Sequence, residues 1–105
     1  MPNTVVVLFN LKPGVDVAAY EAWAKTRDLP NVRALSQCER FDVLRSVGVL
    51  GSDTPAPYEY VEIIDVTDLA AFREEAASET MQGVVAEFQK MADSPLFIVT
   101  ENIDA

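Results

Sequence analysis

Tyr60 and Glu62 lie two residues apart in the stretch 58–68, YEYVEIIDVTD, and together they offer a phenol and a carboxyl for proton chemistry. On a strand, side chains two apart share a face. That puts Tyr58, Tyr60, Glu62 and Ile64 on one side and Glu59, Val61, Ile63 and Asp65 on the other. Glu62 is the candidate catalytic carboxyl, because burial among apolar groups lifts a carboxyl pKa towards neutrality and poises it for proton transfer. Tyr60, on the same face, is the candidate donor to a developing oxyanion. Arg33 or Arg45 would instead hold Glu62 ionised, and the pair would then be electrostatic or structural. The non-catalytic alternative is an interface network in which arginine satisfies both residues across a dimer. Periodicity leaves open which face of this strand turns inward.

The chemistry available elsewhere is narrow. The chain has no histidine, which excludes Ser-His-Asp and Cys-His arrangements and the commonest general base near neutral pH. Cys38 is the single cysteine, so there is no disulfide framework and no thiolate cluster for zinc or iron. It reads as a structural thiol, since a nucleophilic cysteine needs an imidazole or clustered positive charge to lower its pKa. The carboxylates match no calcium loop, and no phosphate loop or dinucleotide glycine pattern is present. The expectation is therefore no metal and no cofactor. A net charge of −9 with only eight basic residues argues against nucleic acid and anionic membranes. No apolar run is long enough to span a bilayer and no secretory leader is visible, so a cytoplasmic location is expected.

At 105 residues, half of them hydrophobic, the chain reads as a single domain, 1–105, that gains from the extra burial a second copy provides. The run Val5, Val6, Val7, Leu8, Phe9 is apolar without alternation, the pattern of a mid-sheet strand buried on both faces. Asn10 ends it, either starting a loop or donating into a pocket. Pro13 and Gly14 break the chain, and Asp16 caps a helix over 16–27 whose stripe, Ala19, Tyr20, Trp23 and Ala24, should face the sheet. Asp28, Leu29, Pro30 and Asn31 read as a breaker, with Val32 to Leu35 either a helical turn or extended.

Residues 41–47 alternate as a strand whose charges suit an edge. The glycines and prolines of 48–57 imply a long exposed loop. After strand 58–65, Thr67 is the expected helix cap, with Val66 stapled to Ala71 over the stripe Leu69, Phe72, Ala76. Ser78 caps a further helix carrying Met81, Val84, Val85, Phe88 and Met91. Asp93, Ser94 and Pro95 should end it before a last strand, 96–100.

Strand, helix, strand, strand, helix, strand is the βαββαβ order of an α+β ferredoxin-like fold, an antiparallel sheet with helices on one face. Its first and last strands are apolar on both sides, so the open face calls for a second copy and a homodimer with two facing sheets. Four segments, VVVLFNLKPGVDVAAYEAWA, DLPNVRAL, LGSDTPAPYEYVEIIDV and SPLFIVTENI, resemble the RedY-like family that includes HapK, encoded with pigment-forming prodiginine pathways. The resemblance implies a dimeric α/β barrel shared with cofactor-free monooxygenases and muconolactone isomerases, and a setting in tripyrrole or related secondary metabolism. Three functions follow as expectations. One is a cofactor-independent enzyme acting on a hydrophobic aromatic or pyrrolic small molecule by oxidation, isomerisation or condensation. The others are a non-catalytic carrier of such an intermediate and a structural partner of pathway enzymes. The substrate-binding candidates are Tyr20, Trp23, Phe72 and Phe88 as aromatic walls, with Arg33 and Arg45.

Overall fold

A computed structural model describes residues 2–104. Four antiparallel strands make one sheet in the order β2-β3-β1-β4. They are β1 (Asn3–Leu11), β2 (Cys38–Arg45), β3 (Tyr60–Val66) and β4 (Ala92–Thr100). The helical layer comprises α1 (Val17–Trp23), a π-helical turn Ala24–Asp28, α2 (Leu29–Arg33), α3 (Leu69–Ala76) and α4 (Glu79–Met91). This is the expected ferredoxin-like α+β architecture. β1 is central, and β2, with its charges, is an edge.

One continuous core lies between the helices and one sheet face. β1 supplies Val5, Val7, Phe9 and Leu11, β3 supplies Tyr60, Ile64 and Val66, and the helices supply Tyr20, Ala24, Val32, Met81, Val84 and Phe88. Each large apolar side chain sunk there stabilises the fold by about 1.5–3 kcal/mol. Register decides which residues share that face. Glu62 pairs with Val7 of β1 and Val43 of β2, and Tyr60 pairs with Phe9 and Arg45. The face left open by periodicity is thus settled, with Tyr60, Glu62 and Ile64 turned to the helices.

The opposite face carries Val6, Leu8, Val61, Ile63, Leu44, Leu96 and Ile98 as cross-strand neighbours. Leu44, Leu96 and Ile98 stand 49%, 47% and 44% exposed. A contiguous apolar surface of this kind is unusual on a lone chain and marks an interaction face.

Several local expectations are corrected. Asp28 to Asn31 do not break the helical layer, because the π turn passes directly into α2 and Pro30, which has no amide to donate, stands just after the widened turn. Val32 belongs to that helix and is buried. Asp16 does cap α1, accepting from the Ala19 amide at 3.0 Å, but Ala19 itself faces solvent. The cap of α3 is Asp68, which accepts from the Ala71 amide. Thr67 instead donates to Glu39 across the sheet end at 2.9 Å. Val66 is the buried last residue of β3 rather than a staple, and Tyr58 precedes that strand. β2 starts earlier than expected, at Cys38, and ends at Arg45.

Ser78 caps α4 through the Met81 amide. Asp93, Ser94 and Pro95 do not separate α4 from the last strand, because the backbone turns extended at Ala92 and pairs at once with Leu11. The irregularity they impose is absorbed as a bulge opposite Leu8 and Asn10, with Ser94 in the left-handed region at φ 45°. Residues 48–57 form the expected exposed loop. Asn10 ties it down, donating to the Pro57 carbonyl and accepting from the Glu59 amide.

Candidate active site

Two carboxyls come together under the helices. On the first helical layer Tyr20, Ala24, Asp28 and Val32 recur every four residues, and all four are buried. A four-residue repeat drifts around a regular α-helix of 3.6 residues per turn. The wider π turn Ala24–Asp28 takes up that drift, so Asp28 stays on the core side. Glu62 reaches the same interior from the middle of β3, flanked by Val7 and Val43 in the sheet. Asp28 is 6% exposed and Glu62 4%.

Both carboxyls face an apolar cavity of about 210 Å³ whose wall includes Val5, Phe41, Ile64, Phe72, Met81 and Phe88. Pro95 and Phe97 of β4 line it as well, and Phe97 is largely exposed. Removal from water pushes the Asp28 carboxyl up to about 7. The same burial, followed by the charge of Asp28, pushes Glu62 up to about 8. The Oε2 atom of Glu62 and the hydroxyl of Tyr20 are buried with no hydrogen-bond partner among the described residues. Burial first, and then the neighbouring Glu62 and Asp28, push the Tyr20 phenol up, so it stays protonated. The arrangement is an apolar chamber faced by two acids whose pKa values are raised towards neutral pH.

Tyr60 is not part of that chamber. Its ring stacks on Phe9 with centroids 5.4 Å apart, and its hydroxyl donates to Glu21 Oε2 at 2.7 Å. Arg45 grips the same carboxylate with Nε at 2.8 Å and with Nη2. Hydrogen bonding from Arg45, then from Tyr60, holds Glu21 down to about 2. Burial and that carboxylate push Tyr60 up to about 12. Tyr60 and Arg45 line two outer clefts of about 400 and 320 Å³, away from Glu62.

The other candidates divide the same way. Phe72 and Phe88 line the chamber. Tyr20 lies beside it, edge-on to Phe9 at 5.8 Å. Trp23 packs half-buried against the edge of the core, along Phe88 on α4 at 6.3 Å, and donates from Nε1 to Glu87. Arg33 is spent on the β2 edge, donating to the Phe41 carbonyl and pairing with Asp42 at 3.2 Å. Neither Arg33 nor Arg45 therefore holds Glu62 ionised. An arginine from a copy packed on the outer sheet face would not reach Glu62, which points to the helices.

Sequence reasoning missed Asp28 and Glu21. Asp28 was detectable as the eight-residue continuation of the Tyr20 and Ala24 stripe, obscured by the Pro30 signal. Nothing in the local pattern marks Glu21, which is adjacent to Tyr20 and meets Arg45 and Tyr60 only through the fold.

A family model described as REDY-like protein HapK matches residues 3–103. The crystal structure of HapK from Hahella chejuensis is 31% identical over 98% of this chain and 94% of that one, with a TM-score of 0.76. SnoaB, a cofactor-independent oxygenase from Streptomyces nogalater, is 18% identical over 99% and 95%, with a TM-score of 0.76. A dimeric ferredoxin-like protein of unknown function from Thermobifida fusca is 15% identical over 97% and 92%, with a TM-score of 0.74. These last two likenesses are of fold. No curated protein matches.

Proposed function

The chain belongs to the REDY-like HapK family, and from that premise we propose that it is a cofactor-independent enzyme that moves a proton on a compact aromatic or pyrrolic intermediate of secondary metabolism. The observation that carries this reading is the unpartnered, buried Glu62 carboxyl facing an apolar cavity together with Asp28. Glu62, protonated at neutral pH, is the general acid. Asp28, facing the same chamber, accepts or relays the proton. Phe72 and Phe88 hold the flat ring system, and the chamber's volume, below the range for drug-sized ligands, suits one or two rings. Isomerisation and condensation both turn on such a step.

The working unit in this proposal is a homodimer joined through the apolar outer sheet face. Support comes from the exposed Leu44, Leu96 and Ile98 and from the dimeric state of the Thermobifida fusca relative. The pigment-forming setting comes from the family likeness. A cytoplasmic location accords with a lone free thiol, Cys38. Among the described residues no helix is long and apolar enough to cross a membrane.

The test is to incubate the purified protein with mono- and bipyrrolic candidates in deuterated water and follow isotope incorporation and product formation by NMR. Glu62→Gln should slow the reaction by about 10²–10⁴-fold. Wild-type rates in both Glu62→Gln and Asp28→Asn would overturn the reading. Ligand-induced stabilisation with no turnover in any candidate would replace it with the carrier function.

A further inference from the structure

We propose that the chamber between Asp28 and Glu62 takes its ligand as a planar organic cation, a protonated nitrogen compound such as an amidinium or iminium, with the two carboxyls as its counter-charge. This deepens the reading above and rests on the chamber being the ligand site.

The five ion pairs among the described residues are Arg27 with Glu87, Arg33 with Asp42, Arg40 with Asp42 and with Asp65, and Arg45 with Glu21. None involves Asp28 or Glu62. Among the described residues no basic side chain lines the chamber, and its polar wall consists of Asp28, Glu62 and Gln89. An anionic ligand would therefore meet two acids and no positive charge. A pure hydrocarbon would leave Glu62 Oε2 buried without a partner, which is costly. A planar cation with N–H donors satisfies that oxygen, and its charge offsets the loss of solvation when the carboxyls ionise.

The titratable groups near Glu62 are Tyr20 from α1 and Asp28 from the π turn, while Tyr60, next on the same strand face, turns its hydroxyl to Glu21. Val7 and Val43 flank Glu62 in the sheet, and neither α3 nor α4 brings an ionisable group to the chamber wall. On binding a cation the carboxyl pair releases one proton to the buffer and keeps the other on Glu62 for the transfer. The ligand keeps its N–H bonds, and no electrons change hands.

The experiment uses benzamidine, a planar cation, and benzamide, its uncharged counterpart of the same shape. Calorimetry on the full chain would run from about pH 6 to about pH 9, in two buffers of different ionisation enthalpy, so that protons released can be counted. Benzamidine affinity should rise about tenfold or more across that range, with proton release near its lower end, while benzamide affinity changes less than about threefold. Glu62→Gln and Asp28→Asn should each weaken benzamidine about tenfold and spare benzamide. Ala76→Leu, which narrows the chamber, should weaken both.

Equal affinity for the two probes at every pH, or failure of benzamidine to bind, overturns the charge selection. The proton-transfer reading fails on a separate result, undiminished turnover in Glu62→Gln.

Discussion

Asp28, on a π turn of the helical layer, and Glu62, at the centre of β3, face one apolar chamber, and among the described residues no basic side chain lines it or pairs with either. Each is held protonated to a pH at which an ordinary carboxyl would be charged. The pair thus makes the fold pH-sensitive and gives the chamber its chemistry.

Stability should fall as pH rises through neutrality. The unfolded chain gives up the Glu62 proton near 4.5 and the folded chain only near 8, so between those values the folded state binds more protons and rising pH favours unfolding. Asp28 adds the same sign between 3.8 and about 7. The slope is about 1.4 kcal/mol per pH unit for each group, on the order of 5 kcal/mol in all for Glu62. Glu21 acts oppositely, since its carboxyl is held down to about 2 and its contribution is lost only as pH falls towards that value. Urea midpoints should therefore peak at about pH 4–5. Glu62→Gln should be more stable than the parent at about pH 9 and close to it at about pH 4, and identical profiles for the two proteins would contradict the assignment.

Tyr60→Phe should separate stability from turnover. Losing the hydrogen bond to the Glu21 carboxylate should cost about 1–2 kcal/mol in denaturant unfolding. Because the Tyr60 hydroxyl points to Glu21 and not into the chamber, turnover should drop by less than about fivefold, against 10²–10⁴-fold for Glu62→Gln. A loss as large as that of Glu62→Gln would return Tyr60 to the reacting centre.

Ala76→Leu should trade function for stability. Ala76 lines the chamber from α3, and the added methyl groups fill part of it, raising thermal stability by about 0.5–1 kcal/mol while blocking ligand. Undiminished ligand affinity would place the ligand elsewhere. By contrast, Phe88→Ala empties the core beneath α4 and should cost about 3–5 kcal/mol.

Ile98→Arg should break the dimer. Ile98 sits on the outer sheet face next to Val6, where a charge cannot be buried against a second sheet without a partner. Light scattering at micromolar concentration should report a dimer for the parent and a monomer for the variant. A parent that is itself monomeric would remove the interface.

The order of elements was legible because it depends on local signals. The apolar run of β1, the Asp16 and Ser78 caps and the helical stripe through Met81, Val84 and Phe88 each act within a few residues, and consistent local preferences specify a fold class. Boundaries were less legible where two local signals competed. Pro30 suggested an ending, yet the helical layer runs through it, with the π turn immediately before it widening the backbone. Thr67 suggested a cap, yet Asp68 one residue later has the side chain that reaches the Ala71 amide. Glu62 was legible as a candidate carboxyl on β3, while periodicity left its face open.

What the sequence determined by itself was the ferredoxin-like order of strands and helices, the exclusion of imidazole chemistry and the presence of a carboxyl with unmet demands on β3. Only the tertiary structure decided which face of that strand is interior and which acid joins Glu62. It also decided that Arg33, Arg45 and Tyr60 bond elsewhere. The physical reason is range. Turn formers, caps and periodicity act between neighbours along the chain, whereas desolvation and charge coupling depend on groups distant in sequence, as Asp28 and Glu62 are, and arise only once a sheet register and a π turn have brought them to one cavity.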